Sequence, residues 1–151
     1  MKRGNGLISL DNMNLIDNAV NLLNKFGYSL VLTNGKDILT STDRGIKPLL
    51  DIVEKYQQLK GYTAADIIIG KAASMLYALL GVKEVYGKVM SKSALEILER
   101  YHIQYSYEVL TDNIINRMGT DLCPMEKTVK DIDDIQEGYL AIKKKVESLR
   151  K

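Results

Sequence analysis

The chain has 151 residues, 46% of them hydrophobic, and 21 basic residues against 19 acidic ones for a formal charge of +2. That length fills one ordinary core but not two, and the near-balanced, well-mixed charge gives no electrostatic case for duplex nucleic acid. One cysteine excludes an internal disulfide framework and, with one histidine, leaves too few soft ligands for a zinc site.

The N-terminal stretch, residues 1–13, reads as a loose leader. It is basic at Lys2 and Arg3, but Leu7-Ile8-Ser9-Leu10 is too short for the apolar region of a signal peptide, so a cytoplasmic location is expected. Residues 14–151 then read as a single domain. Asn14 is a candidate cap for a helix carrying Leu15, Ile16, Ala19, Val20, Leu22, Leu23 and Phe26, with Gly27 at its end. Asn34-Gly35 separates two strand-like runs, Ser29–Thr33 and Lys36–Ser41, and Asn-Gly is the strongest short hairpin signal because both turn residues must accept positive φ.

The loop Thr42–Lys47 leads to Pro48, which suits a first helical turn, and Leu49, Leu50, Ile52, Val53, Tyr56 and Leu59 recur at helical spacing until Gly61. Ala64–Gly81 follows, and the rest of the chain is arranged around it. The β-branched run Ile67-Ile68-Ile69 reads as a strand buried on both faces. Gly70 turns the chain, and Lys71–Leu80 is a helix of small and apolar residues ended by Gly81. Asp66 and Lys71 interrupt the segment, which excludes a membrane span. Further strands are expected over Glu84–Met90 and Gln104–Leu110, with a helix between them that Ser93 and Glu96 frame as a capping box. Thr111–Leu122 has no periodicity. Cys123-Pro124-Met125-Glu126 starts a short helix, and Asp134 caps a final one with an apolar stripe of Ile135, Tyr139, Ile142, Val146 and Leu149. An antiparallel pair followed by βαβαβ crossovers implies an α/β fold, a three-layer α/β/α sandwich on a mixed five-stranded sheet.

Several residues are candidates for chemistry. Gly70 and Lys71 stand at a strand-to-helix corner, where backbone N–H groups favour anions, and a cation in the first helical turn opposes the macrodipole and so asks for a reason. A phosphate-binding P-loop is excluded, because the earlier glycine and the Ser or Thr after the lysine are missing. Cys123 falls at a helix start, an environment that activates thiols, and Glu126 either completes that start or serves as an acid/base. Arg117 offers a fork for phosphate or carboxylate, with Asn116 beside it as a reader of a ligand edge. Ser41, Arg44 and Gly45 line the opposite edge of the presumed cleft, and Ser91 is either a helix cap or a phosphate-facing hydroxyl.

The series Gly45-Ile46-x-Pro48-Leu49-Leu50, Gly70-Lys71-Ala72-Ala73, Ser91-x-x-Ala94, Asn116-Arg117 and Cys123-Pro124-x-Glu126 resembles the bacterial family known as domain of unknown function 1893. The resemblance spans about residues 14–150 and implies a fold similar to that of the cytidine deaminases. In those enzymes zinc is held by a His-x-Glu helix start and a Pro-Cys-x-x-Cys corner. Here Arg44-Gly45-Ile46 and Gly70-Lys71-Ala72-Ala73 stand in the matching places, so no metal or other cofactor is expected and deamination through zinc is not expected.

Two functions stay open at this level. One is a zinc-free pocket for an anionic, phosphorylated or nucleotide-like small molecule. Ser41, Arg44, Gly45, Gly70, Lys71, Ser91, Asn116 and Arg117 would bind it, and Cys123 and Glu126 would carry any metal-free transfer or hydrolysis. The other is a non-enzymatic regulatory or structural homo-oligomer.

Overall fold

A computed structural model describes residues 2–4 and 10–149. Twelve elements follow in chain order: β1 (Lys2–Gly4), α1 (Leu10–Phe26), β2 (Leu30–Thr33), β3 (Ile38–Ser41), α2 (Lys47–Tyr56), β4 (Thr63–Ile69), α3 (Lys71–Leu80), β5 (Glu84–Ser91), α4 (Lys92–Arg100), β6 (Gln104–Thr111), α5 (Pro124–Val129) and α6 (Ile135–Leu149). The sheet order is β1-β6-β5-β4-β2-β3. β4, β5 and β6 are parallel, and β2 runs antiparallel to both β3 and β4. The mixed five-stranded sheet read from the sequence is therefore present, and β1 extends it along β6 as a short antiparallel sixth strand.

The N-terminal boundary differs from expectation. Residues 2–4 pair with the sheet, and α1 begins at Leu10 rather than after Asn14. No Gly or Pro interrupts Leu10–Met13, so the helix extends upstream of the polar residue that looked like its cap. Residues 5–9 of the expected leader and the basic pair Arg150-Lys151 lie outside the described residues. α2 is also shorter than its apolar periodicity suggested. It stops at Tyr56, Gln57 takes φ +61°, and Leu59 reaches the core from the connection, its N–H bonded to the Leu80 carbonyl at 2.7 Å. Among the described residues no helix is long and apolar enough to cross a membrane.

Two cores flank the sheet. α1 packs Ile16, Ala19 and Leu23 on Val31, Ala65 and Tyr86 of one face. On the other face α2, α3, α4 and α6 share the main core with β4, β5 and Tyr105 of β6. α3 is its centre: Lys71 through Tyr77 and Leu80 are all buried. A helix surrounded on every side needs an apolar circumference, which is what the sequence KAASMLYALL supplies. α6 crosses α3 closely enough that a Cβ on Gly138 would fall 2.4 Å from the Met75 sulfur, so any larger residue there would force the buried Met75 side chain to shift.

Candidate functional site

The sheet changes direction at β4, which has a parallel neighbour on one side and an antiparallel one on the other. Clefts in open α/β sheets form at the carboxyl ends of strands beside such points. Here a cleft of about 550 Å³ opens at the end of β4, between the β3–α2 loop and the segment joining β6 to α5. Ile46, Pro48, Leu49, Ile68, Ile114 and Met125 are among its apolar walls, and Arg44, Asp66, Arg117, Cys123 and Glu126 are among its polar residues.

The α3 N-terminus is closed by a residue 55 positions away. Glu126 Oε1 accepts the Lys71 N–H at 2.9 Å, and Oε2 accepts the Ala72 N–H at 3.0 Å. The carboxylate thus satisfies two of the orphan donors of this helix and lies against its positive pole. Gly70 makes room for it: its backbone is ordinary extended chain (φ −97°, ψ −171°), but a Cβ would fall 2.5 Å from Glu126 Oε1. The Gly-Lys corner and the Cys-Pro-x-Glu turn, far apart in sequence, are therefore halves of one unit. Glu126 does not complete a capping box at its own helix start, because its oxygens serve α3.

Lys71 is correspondingly not a cleft residue. Its side chain is mostly buried and runs to the α5–α6 connection, where Nζ donates to the Lys130 carbonyl at 3.1 Å and to Asp133 Oδ1 at 3.2 Å. The cation in the first turn of α3 has a structural reason, tethering that connection. Ser91 is the N-cap of α4, its Oγ accepting the Ala94 N–H at 3.2 Å. Ser41 accepts the Asp43 N–H at 3.0 Å and is likewise outside the cleft lining. Of the ten residues singled out from sequence, the cleft brings together Arg44, Gly45, Gly70, Asn116, Arg117, Cys123 and Glu126, and leaves out Ser41, Lys71 and Ser91.

The segment after β6 is more ordered than its sequence suggested. Ile115 and Leu122 form an antiparallel bridge, and Cys123 N–H reaches the Ile114 carbonyl at 2.9 Å. Asn116 ties this small hairpin to itself through Thr120, accepting its N–H at 3.1 Å and donating to its hydroxyl at 3.2 Å. The Asn116 amide thus orders the loop, and Arg117 and Met118 are left exposed at its tip. Cys123 is the N-cap of α5, is half-buried, and makes no side-chain capping bond, so its thiol is available to the cleft.

Two cleft residues, Ser29 and Asp66, were not among the functional candidates from sequence. Ser29 holds β2 to the β3–α2 loop, its Oγ donating to the Ser41 and Asp43 carbonyls. Asp66 is in the central strand β4, half-buried, where Tyr77 Oη donates to Oδ2 at 2.6 Å and the Ile68 N–H to Oδ1 at 3.2 Å. Burial pushes its carboxyl up to about 6, outweighing the opposing hydrogen bonds from Tyr77, Ile68 and Ile67. Burial also raises the Tyr77 hydroxyl well above its usual value, with the Asp66 charge adding to the effect. An acidic residue inside an otherwise apolar strand was the available signal. Among the described residues no group of three or more His, Cys, Asp or Glu side chains is arranged to hold a metal ion.

Residues 18–146 match the family model described as Domain of unknown function (DUF1893). No curated protein matches the sequence. Among solved structures, the chain is similar to the crystal structure of a DUF1893 family protein from Thermotoga maritima. The two are 27% identical over 96% of this chain and 97% of that one, with a TM-score of 0.84.

Proposed function

This chain belongs to the DUF1893 family, and we propose that within that family it is a small-molecule-binding protein whose cleft takes a nucleotide-like ligand, a flat apolar body carrying an anionic group. The observation that carries this reading is the composition of the cleft. Its volume of about 550 Å³ is in the usual range for small-ligand sites, and its walls are mainly aliphatic. Its two guanidinium groups, Arg44 and Arg117, come from separate loops and are solvent-exposed. Such a site binds a planar body by burying it and adds selectivity for charge at the mouth.

The anion belongs at that mouth and not at the α3 N-terminus. A phosphate at the helix start would have to displace a carboxylate already bound by two backbone N–H groups. We further propose that the fold is deaminase-like; on that reading Gly70 and Lys71, covered by Glu126, stand at the corner that would carry cysteine ligands in a zinc deaminase. Cys123 is the nucleophile that any covalent chemistry in the cleft would use.

Thermal-shift screening with nucleosides, nucleoside monophosphates, sugar phosphates and inorganic phosphate tests the proposal. Stabilisation by nucleosides or their monophosphates is expected. Complete silence across the panel would end it.

A further inference from the structure

Asp66 poses a question the fold does not answer. A carboxyl in the central strand of an apolar wall is costly to bury, and among the described residues no Lys or Arg forms an ion pair with it. Its side-chain partner is Tyr77, whose own side chain is fully buried and whose hydroxyl reaches Asp66 Oδ2 at 2.6 Å. The pair is thus fixed in direction by α3, and the Ile68 amide fixes the other oxygen at 3.2 Å. A carboxylate has about four lone-pair sites, so acceptor capacity remains on both oxygens. Asp66 also lines the cleft, beside Ile67, Ile68 and Ala73.

An oriented carboxyl against an apolar wall, with no counter-ion among the described residues and acceptor capacity left on both oxygens, is complementary to a flat ring presenting two adjacent N–H donors. Resting on the reading of the cleft as a nucleotide-like site, we infer that Asp66, positioned by Tyr77, selects a planar nitrogen heterocycle by accepting two N–H bonds from one edge of it. A ring N–H next to an exocyclic amino group, as in guanine or a pterin, has this edge. Two parallel N–H···O bonds to a carboxylate add direction as well as strength. A ring whose edge offers one donor and one acceptor would set its acceptor against a carboxylate oxygen and be rejected.

The pH dependence follows from the same contact. Only the ionised carboxylate accepts both bonds, so affinity falls about tenfold per unit as pH drops below about 6 and is level above about 7. The other titratable groups lining the cleft are Asp43 and Arg44 from the β3–α2 loop, Arg117 from the hairpin, and Cys123 and Glu126 from the α5 turn. Tyr77, from α3, is hydrogen-bonded to Asp66 and stays a neutral donor throughout this range.

The test is equilibrium binding of guanosine, inosine and adenosine to wild type, Asp66→Asn and Tyr77→Phe between pH 5 and 8. Guanosine is expected to bind wild type about tenfold or more tighter than inosine, which lacks the amino group, and tighter still than adenosine. Asp66→Asn should abolish the guanosine preference and flatten the pH profile. Tyr77→Phe, which keeps the carboxylate, should retain the preference at lower affinity. If Asp66→Asn does not fold, carbon-13 titration of the Asp66 carboxyl in wild type replaces it, and bound guanosine should lower its midpoint. Nucleosides that bind with equal affinity, or an Asp66→Asn variant indistinguishable from wild type, would overturn the inference and leave the ligand-binding proposal standing. Absence of binding by any nucleoside or nucleotide would remove both.

Discussion

Replacing Gly70 by alanine isolates the contact that joins the two halves of the site. The new Cβ would meet Glu126 Oε1 at 2.5 Å, Cδ at 2.6 Å and Oε2 at 2.8 Å, so the carboxylate must leave. It would abandon two charge-assisted hydrogen bonds and the positive pole of α3. Bonds of that kind contribute about 1.5–3 kcal/mol each at most, and part is recovered by water, so a net loss of about 2–4 kcal/mol is expected for Gly70→Ala. For a domain of this size that is a fall in Tm of roughly 5–12 °C. Glu126→Ala should cost about the same. The decisive measurement is the double-mutant cycle by urea denaturation. Once Glu126 is alanine, Gly70→Ala meets no carboxylate, and its extended backbone suits alanine, so the second substitution should be neutral to about 1 kcal/mol stabilising. If Gly70→Ala were as costly in the Glu126→Ala background as in wild type, the cost would lie elsewhere and the capping argument would fail.

Four other outcomes follow from the same geometry. Lys71→Met should lower stability by about 1–3 kcal/mol through the lost bond to the Lys130 carbonyl, while ligand affinity stays unchanged in a titration; its contact with the exposed Asp133 adds little. Asp66 has a folded-state value of about 6, above the unfolded 3.8, so it contributes most to stability when protonated. Wild type should lose roughly 3 kcal/mol of that contribution as pH rises from about 4 to 6, and Asp66→Asn should not show this loss in denaturation curves across the window. Arg44→Ala with Arg117→Ala should reduce nucleoside monophosphate binding about three- to tenfold and leave nucleoside binding nearly intact, with the phosphate advantage in wild type shrinking as salt is raised. Alkylation of Cys123 by iodoacetamide should slow when the cleft is filled, read by mass spectrometry, and an unchanged rate would mean that the ligand binds away from α5.

The fold was largely legible because its signals are local. Asn34-Gly35 marked the hairpin, although its loop runs from 34 to 37 and Gly35 alone of the two takes positive φ while Asn34 Oδ1 accepts the Lys36 and Asp37 N–H groups. The apolar circumference of Lys71–Leu80 marked the buried helix, and Asp134 does cap α6, accepting the Glu137 N–H at 2.8 Å. The site was legible only in part. Sequence singled out the Gly70-Lys71 corner and the Cys123/Glu126 turn as separate candidates, and it did not join them because their pairing is non-local. A carboxylate that caps a helix 55 residues earlier leaves no periodic trace, and a lysine near a helix N-terminus reads the same whether it faces a ligand or, as here, a backbone carbonyl. Asp66 was overlooked for the opposite reason. Beside three isoleucines it looked like the edge of a strand, whereas β4 starts at Thr63 and carries the carboxyl within its span. Asn116 shows the limit of residue type as a guide, since the same amide that can read a ligand edge can equally stitch a hairpin.

In the proposed function the apolar walls and the two arginines hold the ligand while Glu126 keeps the end of α3. Isothermal titration of wild type with nucleosides, their monophosphates and inorganic phosphate, at neutral pH and low salt, tests this most directly. Nucleosides are expected to bind, their monophosphates to bind more tightly, and phosphate alone to give no heat. Tight binding of inorganic phosphate with no binding of nucleosides would contradict it, because the anion would then have taken the place assigned to Glu126.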